Sequence, residues 1–120
     1  ASFLKTTTPN LFSEKTKKNS PDLIENMIDS SKYFSAEVLV QYYKTMMKRP
    51  DRTHVLQTFK KPVIFIIGKN DNSVPLQASM EQCHLPAIAF IKLLPESGHM
   101  GLWEERKAAN AFLMESMKQL

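Results

Sequence analysis

Apolar residues in the second half of the chain form continuous runs separated by stretches of helical periodicity. The run from Pro62 to Gly68 is uninterrupted, which predicts a strand buried on both faces of a parallel sheet. The pattern then predicts a helix over 76–84, a second strand over 88–94 and a last helix over about 102–120. This strand–helix–strand–helix order predicts an α/β fold with parallel strands flanked by helices.

The first half shows helical spacing and no strand pattern. Residues 1–19 are polar, and within them we predict a loop over 6–10, followed by Leu11 and Phe12 as a short apolar anchor. A short helix is predicted to begin at Ser20-Pro21, and another after Asp51 or Thr53. The clearest amphipathic helix follows Ser35, with apolar positions at Ala36, Leu39, Val40, Tyr43 and Met47. We therefore divide the chain into a helical segment, 1–60, and an α/β segment, 61–120.

The predicted sheet is too small to be stable by itself. Two parallel strands do not form an independent sheet, because at least three strands with a covered face are needed. Either further strands lie on sequence outside this chain, or copies of the chain complete one another's sheets. Open strand edges recruit partners, so a homo-oligomer is one expectation.

Composition limits the number of domains, the classes of partner and the cellular compartment that we expect. Its 120 residues suit one domain, and the net charge of +4 is too modest to predict nucleic-acid binding. No apolar run approaches the roughly 18 residues of a membrane span, and Phe3-Leu4 is too short for a signal-peptide core. The single cysteine, Cys83, fits a reducing compartment. We expect a cytoplasmic protein that contacts no membrane and needs no metal or cofactor.

The first candidate for chemistry is Asp71, in the loop that follows the first predicted strand. Ligand sites of open α/β sheets lie beyond the carboxyl ends of the strands, which is where this side chain falls. The neighbouring residues Asn70, Asn72 and Ser73 are also common in turns, so Asp71 taken alone is better explained as a turn residue whose side chain accepts from a backbone amide.

The second candidate is His99, between Gly98 and Gly101 in the loop after the second predicted strand. Glycines there would allow a tight turn that presents the imidazole. Asp71 and His99 are 28 residues apart, which is one strand–helix–strand passage. Both would emerge at the same edge of neighbouring strands, where an acid can orient an imidazole that acts as a base. His54 and His84 are assigned to surface or packing roles.

These motifs resemble those of the α/β-hydrolase family. Residues 62–75, PVIFIIGKNDNSVP, are similar to the family's strand and acid loop, and 97–100, SGHM, to its histidine loop. The resemblance is good over 35–120 and loose over 12–34, where the family places cap helices. It implies that Asp71 and His99 are the acid and base of a nucleophile–His–Asp triad that hydrolyses an ester-like or related small substrate. It further implies a substrate pocket lined by the following four residues: Met100, Val74, Tyr43 and Met47.

The nucleophile of such a triad is missing from the chain. In the family it lies upstream of the acid, on a Gly-x-Ser-x-Gly turn. The three glycines are Gly68, Gly98 and Gly101, so no serine before Asp71 has glycine neighbours. We expect the nucleophile and the earlier strands on a missing N-terminal part of the same fold, without which the chain is inactive.

The sequence leaves two alternatives open. The whole protein could have the fold without the hydrolytic chemistry, as a perhydrolase, a lyase or a binding protein. The residue type at the nucleophile position would decide between these branches. The chain could also be a self-associating interaction module, and its mass in solution would test that.

Overall fold

The computed structural model describes residues 2–120. Five α-helices and two 3₁₀ turns precede the sheet, and three α-helices follow its first strand. The first half contains α1 (Ser2–Thr7), α2 (Glu14–Asn19), α3 (Pro21–Ser30), α4 (Ala36–Met47) and α5 (Thr53–Thr58), with 3₁₀ turns at Thr8–Leu11 and Ser31–Tyr33. The second half runs β1 (Val63–Gly68), α6 (Leu76–Cys83), β2 (Ala89–Leu94), α7 (Gly101–Glu104) and α8 (Arg106–Met117).

The two strands pair in parallel, as the sequence predicts. Val63 lies opposite Ala89 at one end of the sheet, and Gly68 lies opposite Leu94 at the other. Helix α6 makes the crossover between them, because a parallel connection needs a long return path. Both strands therefore end at the same level, and the loops that follow them leave the sheet side by side. The α/β fold class is confirmed.

The prediction that β1 is buried on both faces is wrong for the part of the chain that the structure describes. Ile67 and Gly68 are buried, whereas the first four residues of β1 are partly exposed. On β2, Ile91 and Leu93 are 40% and 42% exposed. The described residues form one sheet of two strands, so one edge of β1 has no neighbouring strand and its apolar side chains are incompletely covered.

The loop predicted over 6–10 is also wrong, because α1 (Ser2–Thr7) and the 3₁₀ turn at Thr8–Leu11 cover these residues. Ser13 caps α2, its side-chain oxygen accepting a hydrogen bond from the Thr16 amide at 3.2 Å. Phe12 is fully buried, and Ser13 and Thr16 are buried as well. The expected apolar anchor is therefore present at Phe12, and burial against the rest of the chain organises short helices that their own sequence would not stabilise.

Helices α3, α4 and α5 confirm the three predicted helices of the first half. Ser35 caps α4, accepting a hydrogen bond from the Val38 amide at 3.2 Å. Ser20 precedes α3 without a side-chain cap bond. Before α5, Asp51 accepts a hydrogen bond from the Thr53 amide at 2.8 Å, and this bond lowers the pKa of the carboxyl. None of the residues of α4, all of which are described, is buried.

The single last helix of the prediction is broken at Glu105. Its backbone leaves the helical region, with φ −125° and ψ 50°, so α7 ends at Glu104 and α8 begins at Arg106. Ala109 on α8 is fully buried. Among the described residues, no helix combines the length and the apolarity needed to cross a bilayer.

Candidate active site

Asp71 occupies the predicted place, in the loop that leaves the carboxyl end of β1. Its Oδ1 atom accepts hydrogen bonds from the backbone amides of Ser73 at 2.7 Å and Val74 at 2.9 Å. These bonds hold the carboxylate in one orientation and leave Oδ2 for another donor. The turn role that the neighbouring residues suggest is thus real, and it uses one oxygen of the two.

The structure brings Asp71 and His99 together. Asp71 Oδ2 lies 2.8 Å from His99 Nδ1. An ionised carboxylate only accepts hydrogen bonds, so it fixes the tautomer in which Nδ1 carries the proton. The Asp71 side chain is 10% exposed and the His99 side chain 41%. A shielded acid thus holds an accessible imidazole, whose Nε2 atom is left for proton exchange.

Close packing of the two loops sets this distance. The Asn70 amide donates to the Ser97 carbonyl at 2.9 Å, and the Lys69 amide to the Leu94 carbonyl at 2.9 Å. A Cβ atom added at Gly68 would lie 1.8 Å from the Gly98 carbonyl oxygen. None of the described glycines has a positive φ angle. The turn at His99 therefore uses no left-handed glycine conformation, and what Gly68 supplies at the site is the absence of a side chain.

The carboxylates of Glu104 and Glu105, which the sequence does not mark as functional, accept hydrogen bonds from the loop that carries His99. Glu105 Oε2 accepts from the Ser97 hydroxyl at 2.6 Å and from the Glu96 amide at 3.0 Å. Glu104 Oε1 accepts from the Gly98 amide at 2.8 Å. The pair of adjacent acids at the start of a predicted helix is a weak signal in the sequence, because helix starts commonly carry acids.

The N-terminal segment completes this support. The His99 amide donates to the Leu11 carbonyl at 2.8 Å. Glu104 Oε2 accepts from the Ser13 amide at 2.9 Å and from the Thr16 hydroxyl at 2.6 Å. Sequence periodicity gives no signal for contacts between residues so far apart in the chain. Residues 11–16, which belong to the helical segment 1–60, thus contact the backbone of His99 and the carboxylate of Glu104.

A cavity of about 520 Å³ lies in front of the pair. Asp71, His99, Val74 and Met100 all line it, so two of the four predicted pocket residues share a cavity with the acid and base. Neighbouring residues from both faces of β1, Ile66 among them, line it too. The cavity therefore runs along the edge of β1 that β2 does not occupy.

The other two predicted pocket residues, Tyr43 and Met47, lie elsewhere. They line a separate cavity of about 630 Å³ between α4, α1 and the end of α3. Phe3 and Tyr43 meet there edge to face, with ring centroids 5.4 Å apart. Neither Asp71 nor His99 lines this second cavity, so the described part of the chain does not bring Tyr43 and Met47 to the pair.

The remaining reactive side chains lie outside the site. Cys83 is buried on α6, and its thiol donates to the Ser79 carbonyl at 3.3 Å. Burial raises the pKa of this thiol, which disfavours the nucleophilic thiolate. His54 and His84 are exposed. No group of three or more histidine, cysteine, aspartate or glutamate side chains in the described residues could hold a metal ion.

A parallel strand pair, its crossover helix and an acid and a histidine at the strand ends define a known architecture. The chain has the fold of the C-terminal part of an α/β-hydrolase. This rests on likeness to solved structures, since no family model and no curated protein matches the sequence.

Three of the solved structures that resemble the chain are two esterases and a hydrolase. A thermophilic esterase from Thermogutta terrifontis superposes with a TM-score of 0.91 at 20% identity, over 99% of this chain and 44% of its own. An esterase from Exiguobacterium antarcticum gives 0.82 at 20% identity, over 98% and 42%. The 2-hydroxy-6-oxo-6-phenylhexa-2,4-dienoate hydrolase of a Rhodococcus strain gives 0.71 at 17% identity, over 98% and 44%. The chain thus spans less than half the length of these structures.

Proposed function

We propose that the chain is the proton-handling part of an α/β-hydrolase that cleaves an ester-like small substrate by nucleophilic acyl transfer. His99 is the general base and acid, and Asp71 orients it. The observation that carries the proposal is the 2.8 Å contact between Asp71 Oδ2 and His99 Nδ1 at the ends of adjacent parallel strands. The hydrolase activity of the solved structures that share this fold supports it.

The geometry supports a defined proton path. A hydroxyl nucleophile attacks the carbonyl carbon of the substrate while its proton passes to Nε2 of His99. The imidazolium then returns this proton to the leaving alcohol as the carbon–oxygen bond breaks. Water repeats the sequence on the acyl-enzyme, with His99 again as base, and releases the acid. Asp71 stays ionised throughout, and its negative charge stabilises the imidazolium.

The nucleophile in this proposal comes from sequence outside the 120 residues. Serines in this chain that precede Asp71 have no flanking glycine, so none has the neighbours of a strained nucleophile turn. The cavity in front of His99 follows the unpaired edge of β1. A further strand along that edge would bring its own carboxyl end to the same cavity, which is where a nucleophile has to lie.

A covalent probe tests the proposal. We expect a fluorophosphonate to label the full-length protein once, at a residue upstream of the chain, and His99→Ala to slow this labelling strongly. Peptide mass spectrometry locates the adduct. Labelling within residues 1–120 that depends on His99 would refute the missing nucleophile. A folded protein that stays unlabelled and does not hydrolyse activated esters would be a non-hydrolytic relative.

Replacing Asp71 with asparagine tests its role in orienting the base. The amide keeps the shape of the side chain but loses the charge and can donate to Nδ1, which favours the wrong tautomer. We expect kcat for an activated ester to fall by about a hundredfold or more, with KM little changed. Asp29→Asn is the matched control, because Asp29 pairs with Lys32 on the exposed surface of α3. Equal activities of the two variants would contradict the role.

A further inference from the structure

Glu104 joins three parts of the chain behind His99. Its Oε1 atom accepts from the Gly98 amide at 2.8 Å, while Oε2 accepts from the Ser13 amide at 2.9 Å and the Thr16 hydroxyl at 2.6 Å. The Thr16 hydroxyl also lies 3.1 Å from the Ser13 hydroxyl, which in turn accepts from the Thr16 amide. One oxygen of the Glu104 carboxylate thus binds the loop that carries His99, and the other binds the N-terminal segment.

These contacts leave the histidine loop little freedom. Each amide from Glu96 to His99 has an acceptor: Glu105 Oε2, the Leu94 carbonyl, Glu104 Oε1 and the Leu11 carbonyl in turn. Two of these four acceptors are carboxylates, and bonds to charged acceptors are shorter and stronger than bonds between neutral groups. The fourth acceptor, Leu11, belongs to the same N-terminal segment as Ser13. Glu104 therefore fixes the loop directly through Gly98 and indirectly through the segment that holds His99.

We propose that Glu104 is a positioning residue for His99, and this rests on the proposed function. Its carboxylate bonds to Gly98, Ser13 and Thr16 and not to the imidazole, and Glu104 does not line the substrate cavity. Its carboxylate holds the backbone of Gly98, the residue before His99, in place. The backbone at Gly98 in turn sets the orientation of the imidazole toward Asp71. A displacement of catalytic groups by about 1 Å can cost on the order of a hundredfold in rate.

Glutamine cannot replace Glu104 in this role. All three groups that face the carboxylate are donors, and an amide offers one acceptor oxygen and one donor nitrogen. Whichever way the amide turns, its NH₂ group faces a backbone N–H that cannot accept, either that of Gly98 or that of Ser13. At least one hydrogen bond of the link is then lost, although the size of the side chain is unchanged.

The experiment compares Glu104→Gln with Glu115→Gln in the full-length protein. Glu115 is a fair control because it pairs with Lys118 on the surface of α8. We expect Glu104→Gln to lower kcat for an activated ester by about ten- to a hundredfold, with KM within about twofold, and Glu115→Gln to match the parent. In the NMR spectrum, the Nδ1 proton of His99 should exchange faster with water in Glu104→Gln alone.

A pair of smaller changes at Thr16 keeps the test valid if Glu104→Gln fails to fold. Thr16→Val keeps the volume of the side chain but removes the hydroxyl that donates to Glu104, whereas Thr16→Ser retains it. We expect Thr16→Val to lower kcat several-fold and Thr16→Ser to restore it, with the same pattern in the exchange of the His99 Nδ1 proton. A role limited to stability would lower the melting temperature and leave both kcat of the folded enzyme and this exchange unchanged.

The outcomes separate this inference from the proposed function. If His99→Ala destroys activity while Glu104→Gln and Thr16→Val keep the parent kcat and Nδ1 exchange, the positioning role of Glu104 is wrong and the proposed function stands. If His99→Ala keeps full activity, the proposed function fails. The exchange of the His99 Nδ1 proton still reports whether Glu104 positions the imidazole.

Discussion

Replacing His99 with alanine in the full-length protein is expected to lower kcat/KM for an activated ester by at least about a thousandfold. The imidazole both accepts the proton of the nucleophile and returns it to the leaving group, so its loss disables both halves of the reaction. The remaining rate comes from substrate binding and from whatever groups stabilise the oxyanion. Removal of Asp71 is expected to cost less, because it leaves a base in place with a poorer orientation.

The controls for His99→Ala are the other two histidines. His54→Ala and His84→Ala remove exposed imidazoles that lie away from the cavity of Asp71 and His99, and both should keep the parent activity. The His99 side chain is itself 41% exposed, so its truncation should leave the melting temperature nearly unchanged. Steady-state kinetics with an aryl ester measures the effect. More than about a tenth of the parent kcat/KM in His99→Ala would rule out His99 as the base.

Gly68→Ala is expected to produce the largest loss of stability of any one-carbon change near the site. The new Cβ atom would lie 1.8 Å from the Gly98 carbonyl oxygen and 2.8 Å from the Ser97 carbonyl oxygen. Both obstacles are backbone atoms, so β1 and the histidine loop have to move apart as units. We expect the free energy of unfolding to fall by about 3 kcal/mol or more, at the upper end of overpacking effects. The Asp71–His99 contact should lengthen with it, so activity falls too.

Gly101→Ala provides the matched comparison. Its added Cβ atom would meet Leu94 Cδ1 at 2.6 Å, and the next nearest atom lies at 3.8 Å. The end of a leucine side chain can rotate away, and alanine also favours the helix that begins at this residue. The expected cost is about 1 kcal/mol or less. Urea denaturation of both variants measures the difference, and equal costs would show that the approach of Gly68 to Gly98 is not tight in solution.

Local patterns in the sequence predict the part of the structure that carries the acid and base. Continuous apolar runs mark β1 and β2, and helical spacing marks α6 between them. Once a parallel crossover is predicted, its geometry alone places Asp71 and His99 at one edge. The carboxyl ends of adjacent parallel strands always lie at the same edge of a sheet, so the pairing of these two side chains depends on the local strand–helix–strand pattern alone. This is why it could be predicted from the sequence.

The rest of the site depends on contacts that local patterns do not encode. Helix α2 is short and polar, yet Ser13 and Thr16 are buried there beside Phe12, and the backbone of 11–13 lies against Gly98 of the histidine loop. In the sequence, Glu104 and Glu105 are typical acidic residues of the first turn of a helix. Only the folded structure shows which hydrogen-bond donors contact their carboxylates. The break at Glu105 has the same origin, since its carboxylate turns back to Ser97 and Glu96.

The link through Glu104 also bears on how the site assembles. Ser13 and Glu104 are 91 residues apart, whereas Asp71 and His99 are 28 residues apart. Loop-closure entropy grows with the logarithm of this separation, so the longer link costs roughly 1 kcal/mol more to close. The acid–base pair therefore closes the shorter loop, and the contacts of residues 11–16 with Glu104 close the longer and more costly one. Removal of residues 11–16 would open that longer loop and take away the Leu11 carbonyl that receives the His99 amide.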